Sequence, residues 1–105
     1  MNRGEVWWAQ LGPPAGHRPV LLVSRNTAYT TRRLVMVAPV TTRIRGIRAE
    51  LMLGPDDGLR RRSVANLDTL TTISQDVLEE RIAVLSPEKV RLMNHALRFA
   101  LGLDD

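Results

Sequence analysis

With 105 residues the chain has room for one domain and one hydrophobic core, burying roughly two-thirds of the surface that the unfolded chain exposes, so a second domain is excluded. An apolar share of 44% and a charged share of 25% exclude a disordered chain, and no apolar run approaches the ~18 residues of a membrane span. The formal net charge is +4, and 14 of the 15 basic residues are arginine, a bias that suits a nucleic-acid partner and that a GC-rich genome also produces.

The start, Met1-Asn2-Arg3-Gly4-Glu5, lacks the apolar core of a signal peptide, so a cytoplasmic protein is expected. Gly4 to Leu11 reads as a first strand, with Val6, Trp8 and Gln10 on one face and Trp7, Ala9 and Leu11 on the other. Both faces carry a Trp, which places one of the two outside the main core, at a subunit contact or on a ligand face. The loop Gly12-Pro13-Pro14-Ala15-Gly16 then delivers His17 and Arg18 to the mouth of a nearly continuous apolar strand, Pro19 to Ser24. Loop ends held by a rigid strand are where binding and catalytic groups tend to sit, so both residues are site candidates.

Arg25 to Arg33 reads as an exposed polar connector, and Leu34 to Val40 as a third strand in which Pro39 marks an end or a bulge. A basic turn, Thr41-Thr42-Arg43-Ile44-Arg45-Gly46, follows. Ala49 to Leu53 is a short fourth strand closed by the turn Gly54-Pro55-Asp56-Asp57-Gly58. After the arginines at 60–62 come a strand at Ser63 to Leu67, helical turns at Ser74 to Glu80 with Ser74 as cap, and a last strand at Arg81 to Leu85. Ser86-Pro87-Glu88 starts a helix whose apolar positions Val90, Met93, Ala96, Leu97, Ala100 and Leu101 recur at helical spacing, and Gly102 ends it. The expected fold is mainly β with a C-terminal α-helix: one small, strongly bent barrel domain over residues 1–105.

Cysteine is absent, which excludes disulfides and thiolate catalysis and removes the usual ligands of structural zinc. His17 and His95 lie far apart with no HxxxH or DxD spacing, so no metal and no cofactor are expected, and any chemistry is metal-independent.

Taken in order, Arg3-Gly4-Glu5-Val6-Trp7, Leu11-Gly12-Pro13-Pro14, Arg18-Pro19-Val20-Leu21-Leu22-Val23-Ser24, Val37-Ala38-Pro39-Val40-Thr41-Thr42, Ser63-Val64 with Asp68, and the Leu85-Ser86-Pro87 helix ending at Leu103 carry a resemblance. Together they cover nearly the whole chain, which resembles the MazF/PemK (Kid) toxins of bacterial toxin–antitoxin systems. The resemblance implies a small SH3-like barrel that forms a two-fold homodimer and cuts single-stranded RNA at short motifs without a metal. It implies attack of a ribose 2′-hydroxyl on the adjacent phosphate, and inhibition by a MazE-like antitoxin whose acidic, extended tail lies along the RNA-binding surface. It assigns the catalytic pair to Arg18 and Thr41, with no membrane role.

These residue types suit that chemistry. The nucleophile belongs to the substrate, so the protein must position it and stabilise charge at phosphorus. Arginine is always charged and thus a poor base, so Arg18 is expected to stabilise the phosphorane and to deliver a proton to the leaving 5′-oxygen. Thr41 is expected to hydrogen-bond the phosphate or the 2′-hydroxyl. His17, Thr42 and Asp68 are supporting candidates, although alternation along a strand sends His17 away from a groove that Arg18 faces. Arg43, Arg45, Arg48, Arg60 and Arg61, with Arg62, are candidates for phosphate contacts. The loop Gly12 to His17 is shorter than in many members of that family, and Asp68-Thr69-Leu70-Thr71 stands where many have Asp-Gln-Ile-Arg. The alternatives are a protein-binding toxin of the CcdB type acting on a topoisomerase, and a catalytically silent nucleic-acid-binding barrel.

Overall fold

Alternating and continuous apolar runs pair into one strongly bent antiparallel sheet in the computed structural model, which describes residues 1–103; residues 104 and 105 of the expected domain lie outside the described residues. The elements are β1 (Glu5–Gln10), β2 (His17–Leu22), α1 (Ala28–Thr31), β3 (Leu34–Thr41), β4 (Glu50–Leu53), β5 (Ser63–Asn66), β6 (Thr71–Ser74), β7 (Leu78–Val84) and α2 (Pro87–Ala100). Strand order is β4-β5-β3-β2-β1-β7, with β6 also on β3. No helix among the described residues is long and apolar enough to cross a membrane.

Both faces of the central strands are buried, which explains why β2 reads as a continuous apolar run. Val6, Leu21, Val23, Ala38 and Val40 point into the main core, closed by Met93 and Ala96 of α2. Ala9, Val20, Leu22, Val35 and Val37 point the other way, into a second cluster with Ala28 and Tyr29 of α1, against which Trp7 packs. The expected faces of β1 are those observed, and the two Trp side chains part as expected.

Helix α2 starts and stops as its sequence dictates. Ser86 Oγ accepts the Lys89 N–H at 3.1 Å, Pro87 opens the helix, and Gly102, at φ 69°, lets the Leu103 N–H reach the Arg98 carbonyl at 2.9 Å. Leu101 departs from the expected stripe: it is 57% exposed, because the helix has ended before it can turn inward. The Lys89 ammonium donates to the Met52 carbonyl and lies 3.4 Å from Asp57 Oδ2, which itself accepts the Gly54 N–H at 3.0 Å. The first turn of α2 is thereby fastened to the connection between β4 and β5.

Four features differ from the sequence reading. Strand β3 runs through Pro39 to Thr41 instead of ending or bulging there. On that edge the pairing with β6 stops at Val37 and the pairing with β5 starts at Val40, so the missing N–H falls between two neighbours and breaks no ladder bond. The connector 25–33 contains α1, a short helix seated by the burial of Ala28 and Tyr29. Thr71–Ser74 forms β6, an unread edge strand. Of the expected helical turns at 74–80, only Gln75–Val77 is a 3-10 turn, capped by Ser74 as expected; Leu78 to Glu80 belong to β7, where pairing with β1 overrides local preference.

Glu5, 4% exposed, sits where β1 begins. Burial pushes its carboxyl up, but the Trp7 indole N–H at 2.8 Å, Asn2 and the N-terminal ammonium together hold it below the usual carboxylate range.

Candidate active site

The loop from 11 to 16 is a short closed turn: the Leu11 N–H bonds the Gly16 carbonyl at 3.0 Å and the Gly16 N–H bonds the Gly12 carbonyl at 2.7 Å. Gly12 and Gly16 both lie at positive φ, 73° and 69°, where a side chain would be strained. Closing the turn this way sets Gln10 opposite His17 and Ala9 opposite Arg18, so both candidates stand at the open end of β2.

Strands β2 and β3 pair with Leu22 opposite Val37, Leu21 opposite Ala38 and Val20 opposite Pro39. The pairing ends there, and Thr41, two residues further on, pairs with Val64 of β5; the β2–β3 register carried on by two residues would bring Arg18 opposite Thr41. Arg18 is half-buried, and its one bond, from Nε to the Ala15 carbonyl at 3.2 Å, leaves the two terminal guanidinium nitrogens to meet a ligand. Thr41 Oγ1 accepts the Arg43 backbone N–H at 3.1 Å. Its own hydroxyl proton is therefore available to donate, which suits an anionic oxygen.

Beside Thr41 runs a groove of about 390 Å³. Its wall is apolar, from Trp8, Pro19, Leu59 and Ile82, and its rim is polar and cationic, from Thr41, Thr42, Arg60 and Arg61. Of the candidates named from the sequence, Thr41, Thr42, Arg60 and Arg61 line this groove and Arg18 does not; Arg62 follows on the surface.

His17 differs from expectation. Strand alternation sends it to the face opposite Arg18, yet this is the face that Trp8 shares: the two rings stack with centroids 4.7 Å apart and planes 8° from parallel. Its Nε2 lies 2.7 Å from Glu79 Oε1 on β7. His17 is therefore tied to the groove wall through Trp8 and is not a free loop residue. Trp8 as a wall residue and Glu79 as its neighbour's anchor were missed. The first was narrowed to one of two Trp; the second lies 62 residues from His17 and leaves no local signal.

The remaining candidates disperse. Arg43 and Arg45 lie in the 42–49 loop, whose Arg45, Gly46 and Ile47 N–H groups all point at the Glu50 carboxylate, at 3.1, 2.8 and 3.4 Å. Arg48 is drawn elsewhere: its guanidinium stands 4.3 Å over the Phe99 ring, in a separate cleft between β4 and α2. Asp68 lies in an exposed turn beside α2, its N–H held by Asn66 Oδ1 at 2.9 Å, and the structure does not bring it to the groove. Among the described residues no three His, Asp or Glu side chains cluster as metal ligands would.

A family model described as a PemK-like, MazF-like toxin of type II toxin-antitoxin system matches residues 2–101. A protein of Mycobacterium tuberculosis (strain ATCC 25618 / H37Rv) named "Probable endoribonuclease MazF5" is 41% identical over 100 residues, covering 94% of this chain and 91% of that one. The solved structure of an endoribonuclease in complex with its cognate antitoxin from a Mycobacterial species superposes with a TM-score of 0.89 at 32% identity, over 100% of this chain and 98% of that one. The Mycobacterium tuberculosis toxin MazF-mt6 superposes with a TM-score of 0.87 at 31% identity, over 96% and 99% of the two chains.

Proposed function

The chain belongs to the PemK-like, MazF-like toxin family of type II toxin-antitoxin systems, and from that premise we propose that it is an endoribonuclease toxin cutting single-stranded RNA at short sequence motifs, restrained by a cognate antitoxin. The observation that carries this reading is a groove beside Thr41 whose rim bears Arg60 and Arg61, with Arg18 at the nearby open end of β2. A cationic rim over an apolar wall matches a single strand, whose phosphates seek charge and whose unstacked bases seek apolar surface.

The reaction needs no metal or cofactor. The ribose 2′-oxygen attacks the adjacent phosphorus, the bond from phosphorus to the 5′-oxygen breaks, and the ends are a 2′,3′-cyclic phosphate and a 5′-hydroxyl. Arg18 stabilises the charge that builds on the phosphoryl oxygens and protonates the departing 5′-oxygen. Thr41 donates its hydroxyl to the same phosphate and holds the 2′-oxygen in line. His17, held by Trp8 and Glu79 on the face opposite Arg18, braces the groove and is assigned no proton transfer. Arg43, Arg45, Arg60 and Arg61 bind neighbouring phosphates. The working unit is a two-fold homodimer, and an acidic antitoxin tail competes with RNA for the cationic surface.

Incubation of purified protein with single-stranded RNA in excess chelator tests this reading. Fragments ending in cyclic phosphate and 5′-hydroxyl are the expected products; strict dependence on magnesium overturns the mechanism.

A further inference from the structure

The apolar wall of the groove has no part in the phosphate chemistry just described. We propose that the recess bounded by Trp8, Pro19, Leu59 and Ile82 is a nucleobase pocket that holds one base flanking the cut by stacking and burial. The proposal rests on the endoribonuclease reading.

Charge complementarity selects the occupant. An anion seated on the wall would lose its hydration without gaining a partner. A flat, neutral base fits that wall, while the phosphates on either side of it meet Thr41, Thr42, Arg60 and Arg61 on the rim. Trp8 is a prepared platform. Its ring is held parallel to His17 at 4.7 Å, and His17 is in turn anchored by Glu79 at 2.7 Å. A stack of this kind covers one face of the indole, and the remainder of the ring lines the groove. A side chain whose orientation is set by two neighbours gives up little further freedom when a base docks on it. The groove, about 390 Å³, opens directly beside Thr41, so a base held there belongs to a nucleotide next to the reacting phosphate.

The test uses synthetic single-stranded RNA carrying the motif found by end-mapping, with an abasic ribose replacing each nucleotide in turn. For the native protein, one position flanking the cut is expected to lose about 5- to 150-fold in kcat/KM, which is the worth of one base–aromatic stack converted at tenfold per 1.4 kcal/mol. Ile82→Trp, which fills the recess from a half-buried strand position, is expected to lose a similar factor on intact RNA and nothing more on that abasic RNA. Trp8→Leu is expected to behave likewise. Binding of both RNAs in an Arg18→Ala background supplies the same comparison without cleavage. The pocket is overturned if no single position stands out in the native protein, or if the abasic loss persists in full in Ile82→Trp and Trp8→Leu. A recess reserved for an apolar side chain of the antitoxin gives this second result. Failure to cut any RNA would sink the endoribonuclease reading itself, and the pocket with it.

Discussion

Replacing Arg18 with alanine removes the guanidinium from the mouth of β2 while sparing the rest of the structure. The side chain is half-buried and makes one hydrogen bond, Nε to the Ala15 carbonyl at 3.2 Å, within an exposed loop. Losing such a bond costs about 0.5–1.5 kcal/mol, and at this chain length each kcal/mol lowers Tm by roughly 4–8 °C. The catalytic loss is much larger. A donor aimed at charge that develops in the transition state is worth roughly 10²- to 10³-fold in kcat. Arg18→Lys keeps the charge but not the two-pronged geometry, so its activity falls between the two. If Arg18 and Thr41 serve one phosphate, the Arg18→Ala, Thr41→Val double variant loses less than the product of the single losses. Cleavage of a fluorogenic single-stranded oligonucleotide gives kcat/KM for each variant, and thermal melting reports the fold. Arg18→Ala retaining more than half of the native kcat/KM at the native cut sites would refute the assignment.

Other outcomes follow from the geometry. Met93, fully buried beneath the sheet, is the residue that docks α2. Met93→Ala is expected to cost about 2–5 kcal/mol in chemical denaturation, whereas truncating Leu101, 57% exposed, should leave stability within about 0.5 kcal/mol. The Glu5 carboxyl lies below its ordinary 4.5 in the folded state, so it adds stability above pH 4.5 that fades as pH falls through the folded value. Glu5→Gln should flatten that part of the acid-unfolding profile; an unchanged profile would mean that the carboxylate is not held as described. Arg60→Ala and Arg61→Ala should each reduce the slope of log K against log salt by about 0.7, the share of one phosphate on a single strand. Equal slopes in all three proteins would remove those residues from the RNA contact.

The parts of the fold that were legible have signals confined to one segment. Val6 and Ala9 alternate on β1, Val20 to Val23 are apolar on both faces, and the stripe on α2 is bracketed by Ser86, Pro87 and Gly102. What escaped the sequence depends on a partner. Thr71 and Thr72 are exposed on an edge strand that β3 templates, and Leu78 to Glu80 are straightened by pairing with β1. Pro39 looked like a strand end because the gap it occupies, between β6 and β5, exists only once both have docked on β3. The site divides in the same way. Arg18 was conspicuous at the end of its loop, and only family resemblance joined it to Thr41; the observed β2–β3 pairing ends at Val20 and Pro39, short of both. The stack of His17 on Trp8 and its anchor at Glu79 reach across the sheet, so neither could be read from neighbouring residues.

Lys89, the chain's single lysine, also has a use as a reporter. Its ammonium is committed to the Met52 carbonyl and to Asp57 at 3.4 Å, and the segment so fastened leads through Gly58 to Leu59, Arg60 and Arg61 of the groove. An amine-directed acylating reagent therefore meets one side-chain target in each chain, partly exposed and slowed by the fastening. Labelling rates with and without RNA would report, at a single atom, whether substrate tightens the segment that leads to the groove.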